Sequence, residues 1–274
     1  MVTNKDVSDI LYAKDYEFTF FSNSGDSGEL LLACNKKNPN EKYLVKHEHI
    51  DCACNEFMYS KIGNYLGIKI PDVKLFVLDK QNTVNFKSLY VCGITYLENS
   101  EKMNFSKIQE QKSNIKNWKD YFKMRSLEAL FEESDDIEVL KHQNEIYRID
   151  AVDAFTLCEV SLSILLKSNF ACGLFNLIIR GNKESRFLEW ELAIKNFEKN
   201  CGKENLKYFL EPFYLFLEIP SLMIENWSKI LNRIYPEQVS VYYQEYFKYL
   251  KMDLQEFMNS KKEYFDSRKK NEIC

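Results

Sequence analysis

Lys46 and Glu56 are the side chains whose types and spacing most directly suggest chemistry. Lys46 lies in the alternating run Lys42 to His47, where Tyr43 and Val45 share one strand face and Leu44 and Lys46 the other. An ammonium is thus carried on an otherwise apolar face. Glu56 follows ten residues later, near the start of a segment with helical period. In such a pair the lysine neutralises phosphate oxygens, and the glutamate holds the ammonium in place before a nucleotide arrives. Upstream, Ser24-Gly25-Asp26-Ser27-Gly28 reads as a hairpin tip whose small residues and backbone N–H groups could lie over a triphosphate, although Asp26 would repel it. Each feature alone has a plainer reading: an edge lysine that snorkels, a first-turn carboxylate favoured by the helix dipole, and an ordinary turn.

Other constellations carry less. His47, His49, Cys52 and Cys54 crowd four possible zinc ligands into eight residues. Structural zinc usually joins two separated ligand pairs, and one short segment spanning a strand-to-helix turn would have to bend around the ion, so no zinc is expected. Asp150 and Asp153 precede an apolar stretch, Ala154 to Leu166, where helix caps are expected. Cys172 lies in a glycine-containing loop with no histidine beside it in sequence. The aromatic tail, with Tyr235, Tyr242, Tyr243, Tyr246, Phe247 and Tyr249, has the helical spacing of a core face.

The elements that must position these residues fall into two halves. From Tyr16 to Glu98 the chain reads as strand, strand, strand, helix, strand, strand, with the helix running from Asn55 to Leu66 and Gly67 as its terminating residue. Beyond Glu98 glycine nearly vanishes, and amphipathic helices are expected near 104–124, 125–142, 150–168, 204–217, 221–234 and 239–268. Phe170 to Trp190 is the exception, reading as loops and short strands. The expectation is an α+β, bilobal fold with a small β-rich lobe over residues 1–98, built on five strands and one helix, and a larger helical lobe over 99–274.

A length of 274 residues and 45% hydrophobic content suit two lobes. The formal charge of −4 gives no general attraction to nucleic acid phosphates, so no nucleic acid partner is expected. No apolar run reaches the roughly 20 residues that cross a bilayer, and Met1 to Tyr12 is too polar for a signal peptide's central segment. A cytoplasmic protein is expected, of a bacterium or an infected host cell; export by a machine that reads no cleavable signal would leave no trace.

Taken in order, Tyr43-Leu44-Val45-Lys46, Asn55-Glu56-Phe57-Met58 and Tyr65-Leu66-Gly67-Ile68-Lys69-Ile70-Pro71 resemble the small lobe of HipA-like bacterial serine/threonine kinases, especially their compact, cell-translocated members. Arg233-Ile234-Tyr235-Pro236 is similar to a segment in the late helices of that group. The resemblance implies a protein-kinase-like fold and a site for ATP and Mg2+. It places Ser24, Gly25, Gly28 and Lys46 at the phosphates, with Glu56 holding the Lys46 ammonium, and Tyr96, Leu97 and Glu98 in the hinge where backbone groups read adenine.

The family's large lobe carries a catalytic aspartate in an Asn-x-Asp-Arg-His-x-x-Asn type sequence, then a metal-binding aspartate after two short strands. That sequence is absent. The best match, Leu165 to Asn176, puts Ala171 at the catalytic aspartate and leaves Asn176 and Glu191 as metal ligands, with no catalytic residue assigned. An alanine cannot accept a substrate hydroxyl's proton. This reading points to a pseudokinase that acts by binding a protein partner, with or without nucleotide. Its alternatives are an active kinase or nucleotidyl transferase with a rebuilt site, and a phage or mobile-element inhibitor of a host defence complex built on the same scaffold.

Overall fold

The computed structural model describes residues 9–25, 28–47, 50–78, 91–133, 137–151, 154–156, 183–262 and 264–265. The small lobe is a curled six-stranded sheet in the order β1-β5-β6-β4-β3-β2, made by β1 (Ile10–Tyr12), β2 (Tyr16–Gly25), β3 (Gly28–Asn35), β4 (Lys42–His47), β5 (Val73–Val77) and β6 (Val91–Thr95). One strand more is present than the sequence pattern predicts. The addition is β1, a three-residue strand parallel to β5 and too short to show alternation.

The sheet buries both faces. Tyr16, Ala33, Tyr43, Val45, Phe76 and Val91 form a small core on one side. Val73, Leu75, Cys92 and Ile94 join the main core on the other, against helix α1 (Ile50–Tyr65). Gly93 sits where the outer face is tightest: a Cβ there would come within 2.4 Å of the Phe76 ring and 3.0 Å of Tyr43 Cβ. Gly93→Ala should therefore destabilise the fold by about 1–3 kcal/mol, read as a lower urea midpoint at unchanged slope.

Helix α1 is buried nearly all round, so it is a core helix and lacks the single apolar stripe expected. It ends as predicted, with Gly67 at φ +75 and the Ile68 N–H returning to the Gly63 carbonyl at 2.9 Å. Its buried polar groups are tied to the rest of the chain. The Tyr243 hydroxyl donates to Asn55 Oδ1 at 2.6 Å, Ser60 donates to the Pro71 carbonyl at 2.9 Å, and Tyr59 donates to Glu133 at 3.3 Å. At the edge of the sheet, Asp9 joins Lys61 and the buried Lys74 at 2.7 and 2.9 Å.

The large lobe begins after a turn containing Glu98, with β7 (Glu101–Met103), α2 (Phe105–Glu110) and α3 (Asp120–Leu130). The helix expected over 125–142 is not formed. α3 stops at Leu130, Glu132 adopts the left-handed φ of 55°, and the Glu133 N–H returns to the Glu128 carbonyl at 3.0 Å. This is a helix terminator built without glycine. The chain then forms a hairpin, β8 (Glu138–His142) and β9 (Glu145–Ile149), which extends β7 into a three-stranded sheet. Its turn holds Gln143 at φ 55°, again without glycine.

Among the described residues four further helices follow: α4 (Lys183–Cys201), α5 (Leu206–Glu218), α6 (Ser221–Leu231) and α7 (Glu237–Ser260). α4 replaces the loops and strands expected over 183–190, because Trp190, Ile194 and Phe197 lie on one helical stripe and are buried, while 170–182 lie outside the described residues. The aromatic tail is core, with Tyr242, Tyr243, Tyr246 and Phe247 fully buried. Of the stretch expected as a helix over 150–168, the described part is a short 3-10 turn, Ala154–Thr156. No helix among the described residues is long and apolar enough to cross a membrane.

Candidate functional site

Strand β4 and helix α1 bring the predicted charge pair together. Lys46 Nζ lies 3.0 Å from Glu56 Oε1, with the two side chains 12% and 4% exposed. The pairing follows from register: Lys46 opposes Leu30 on β3 and Cys92 on β6, on the face that packs against α1. A glutamate in the first half of that helix meets it there.

A third group joins them that sequence reasoning treated as a cap. Asp150, the residue after β9, forms an ion pair with Lys46 through Oδ1. Asp150 is 41% exposed and its backbone is left-handed, at φ 63°. Among the described residues its Oδ2 makes no ion pair or hydrogen bond. Asp153 lies outside the described residues. β8 and β9 are two short strands followed directly by an acid, Asp150, about forty residues before Glu191.

The segments on either side of the hairpin are held from below. Arg148 on β9 is fully buried, and its guanidinium donates to Glu133, to the Glu138 carbonyl at 3.3 Å and to the Ile149 carbonyl. Its backbone N–H donates to the Lys69 carbonyl at 2.9 Å, joining the hairpin to the segment between α1 and β5. Burial pushes the Glu133 carboxyl up, and the Arg148 guanidinium beside it pulls it back down. Phe155 is a second left-handed residue beyond Asp150, at φ 65°, kept there by its N–H on the Phe131 carbonyl at 2.8 Å and the Tyr242 hydroxyl on its own carbonyl at 2.7 Å. Left-handed non-glycine residues at 132, 150 and 155 therefore flank this part of the lobe.

Other predicted residues are distributed as follows. Gly25 and Gly28 pair across the tip of the β2–β3 hairpin, beside Ser24 on β2. In the hinge, the Tyr96 N–H donates to the Lys42 carbonyl at 3.0 Å, and the Glu98 carbonyl meets the His142 ring at 3.0 Å. Leu97, between them, makes no backbone hydrogen bond to another described residue. The Tyr96 ring packs edge-on against Phe21 at 5.5 Å.

Glu191 is not on a strand. It lies in α4 with Oε1 on Lys195 at 2.7 Å and Oε2 on Lys261 at 2.6 Å, and the two ammonium groups hold its carboxyl down at about 2. Both oxygens offered to a metal are taken by lysines. Asn176 and Ala171 lie outside the described residues, as do Cys172 and His49. Among the described residues no group of three His, Cys, Asp or Glu side chains is placed to hold a metal ion. Cys54 is buried, which pushes its thiol up and keeps it protonated.

A curled sheet with a lysine–glutamate pair, joined through a hinge to a helical lobe, defines an α+β, bilobal protein-kinase-like fold. The crystal structure of the Helicobacter pylori proinflammatory kinase CtkA is similar over 91% of this chain and 97% of its own, with a TM-score of 0.54 and 13% identity. At that identity the likeness is one of fold. No protein-family model matches the sequence, and no curated protein matches it.

Proposed function

We propose that the chain is a HipA-like, magnesium-dependent phosphotransferase that takes ATP between its lobes and passes phosphate to a serine or threonine hydroxyl of a protein partner. The observation that carries this reading is Asp150 on Lys46, directly after two short strands. Its half-exposed carboxylate suits a hard divalent cation, which usually takes one or two carboxylates and completes its shell with water and phosphate. Bound there, magnesium supplies charge neutralisation on the phosphates.

The protein's own groups divide the remaining work. Lys46, held by Glu56, faces phosphate oxygens, and the Leu97 backbone serves a base. The segment before β8 reads Ser134-Asp135-Asp136, outside the described residues. A carboxylate there would accept the acceptor hydroxyl's proton as the new P–O bond forms and the bond to the departing ADP oxygen breaks. On this reading the base lies before β8, and Ala171 is not asked to supply it. The fold likeness to a kinase supports the same reading.

A second reading, a nucleotide-binding pseudokinase acting through a protein partner, is favoured by one observation: residues 131–137 contain no asparagine to hold a second metal ion. Thermal melts with ATP, with and without magnesium, and transfer of labelled γ-phosphate separate the two. ATP at 100 times its Kd should stabilise the fold by about 2.7 kcal/mol. Lys46→Met should abolish that shift. Stabilisation with labelled-phosphate transfer supports the transferase, stabilisation without turnover supports the pseudokinase, and no response to ATP overturns both.

A further inference from the structure

We infer that the buried Arg148–Glu133 pair is a positioning strap that sets how Asp150 engages a metal ion, an inference that rests on the nucleotide reading above. Glu133 opens the acid-bearing segment before β8, and Arg148 stands two residues before Asp150. One ion pair, with both side chains 0% exposed, therefore joins the turn after α3 to the strand that leads into Asp150. The same carboxylate accepts from Tyr59 on α1, three residues after Glu56, and its backbone is anchored to the end of α3. Three elements that carry or flank the site converge on it.

The geometry explains how the strap reaches Asp150. Arg148 donates to the Ile149 carbonyl, which belongs to the peptide group leading into Asp150. Fixing that peptide fixes the direction in which the left-handed Asp150 leaves the strand. Left-handed backbone costs a non-glycine residue roughly 1–2 kcal/mol, so it persists only where neighbours impose it. An arginine fork reaches a carboxylate and two carbonyls at once, whereas a lysine ammonium on a flexible stem has no comparable planar array. Both side chains are fully buried, so Arg148 and Glu133 are positioning residues.

The test separates positioning from plain stability. Arg148→Met and Glu133→Met each leave a buried partner uncompensated and should lower the melting temperature, while the double variant should recover most of it, since apolar replacement of a whole buried pair is often neutral. All three should need at least about tenfold more magnesium for half-maximal stabilisation by ATP, the usual cost of losing a group that orients a metal ligand. If the single variants do not fold, Arg148→Lys is the milder probe and should show the same weakened magnesium dependence. A double variant or Arg148→Lys protein with the unsubstituted chain's magnesium dependence would overturn the strap while leaving the nucleotide reading intact. No ATP response in the unsubstituted chain would overturn that reading, and the strap's role with it.

Discussion

Asp150→Asn is expected to reduce phosphate transfer on the order of 10²–10³-fold, the usual scale for removing one electrostatic contact at a reacting centre. Asparagine preserves the size of the side chain and tolerates the left-handed backbone at φ 63°, so the substitution removes charge with little change of shape. Stabilisation by ATP without magnesium should persist, because Lys46 and Glu56 remain. The additional stabilisation from magnesium should be lost. Labelled-phosphate assays across a magnesium titration, beside thermal melts, measure both quantities. Activity within about tenfold of the parent would remove Asp150 from the metal site, since a mere neighbour of Lys46 has no such leverage.

Half of this site is legible in sequence, and the division has a physical cause. Lys46 and Glu56 sit where a strand period gives way to a helical one, and Gly67 marks the helix end. Asp150 is hidden because its setting lacks such marks. α3 terminates through Glu132, and the β8–β9 hairpin turns through Gln143, both left-handed positions without glycine. Glutamates and aspartates between residues 132 and 138 then read as the solvated face of a continuing helix. Tertiary contacts supply what local chemistry omits: Glu132 is held by Arg186 at 3.1 Å and by the Tyr246 hydroxyl at 2.7 Å. The helix α4 escapes notice for a related reason, since its buried face includes that same arginine, and Gly181 and Asn182 just before it suggest a loop.

Arg186→Met should lower stability by about 3–5 kcal/mol, the scale for removing one member of a buried ion pair. Arg186 is fully buried, with Nε near Glu132 and Nη1 on Asp253 at 2.7 Å, so its loss strands two carboxylates between α4, α7 and the turn after α3. The fall in Tm should be on the order of 10 °C for a chain of this size. Returning the cluster to its original net charge with Asp253→Asn in the same chain should recover part of it. An unchanged Tm in the single variant would mean that water reaches both acids once the arginine is gone.

Helix α1 is fastened on both sides, and that has a consequence for control. Kinases commonly gate themselves by swinging the helix that carries the glutamate away from the lysine. Here such a swing would strip Tyr243 from Asn55 and Tyr59 from Glu133. Each buried group left without a partner costs about 1–3 kcal/mol. Two such losses hold a swung-out form to a few per cent of molecules or fewer, because each 1.4 kcal/mol is a factor of about ten. The lysine–glutamate pair is therefore wired in its assembled state, and on the proposed reading a nucleotide would spend none of its binding free energy on assembling it. For a transferase of that kind, timing would come from outside the clamp, through when an acceptor is met and how much protein is made.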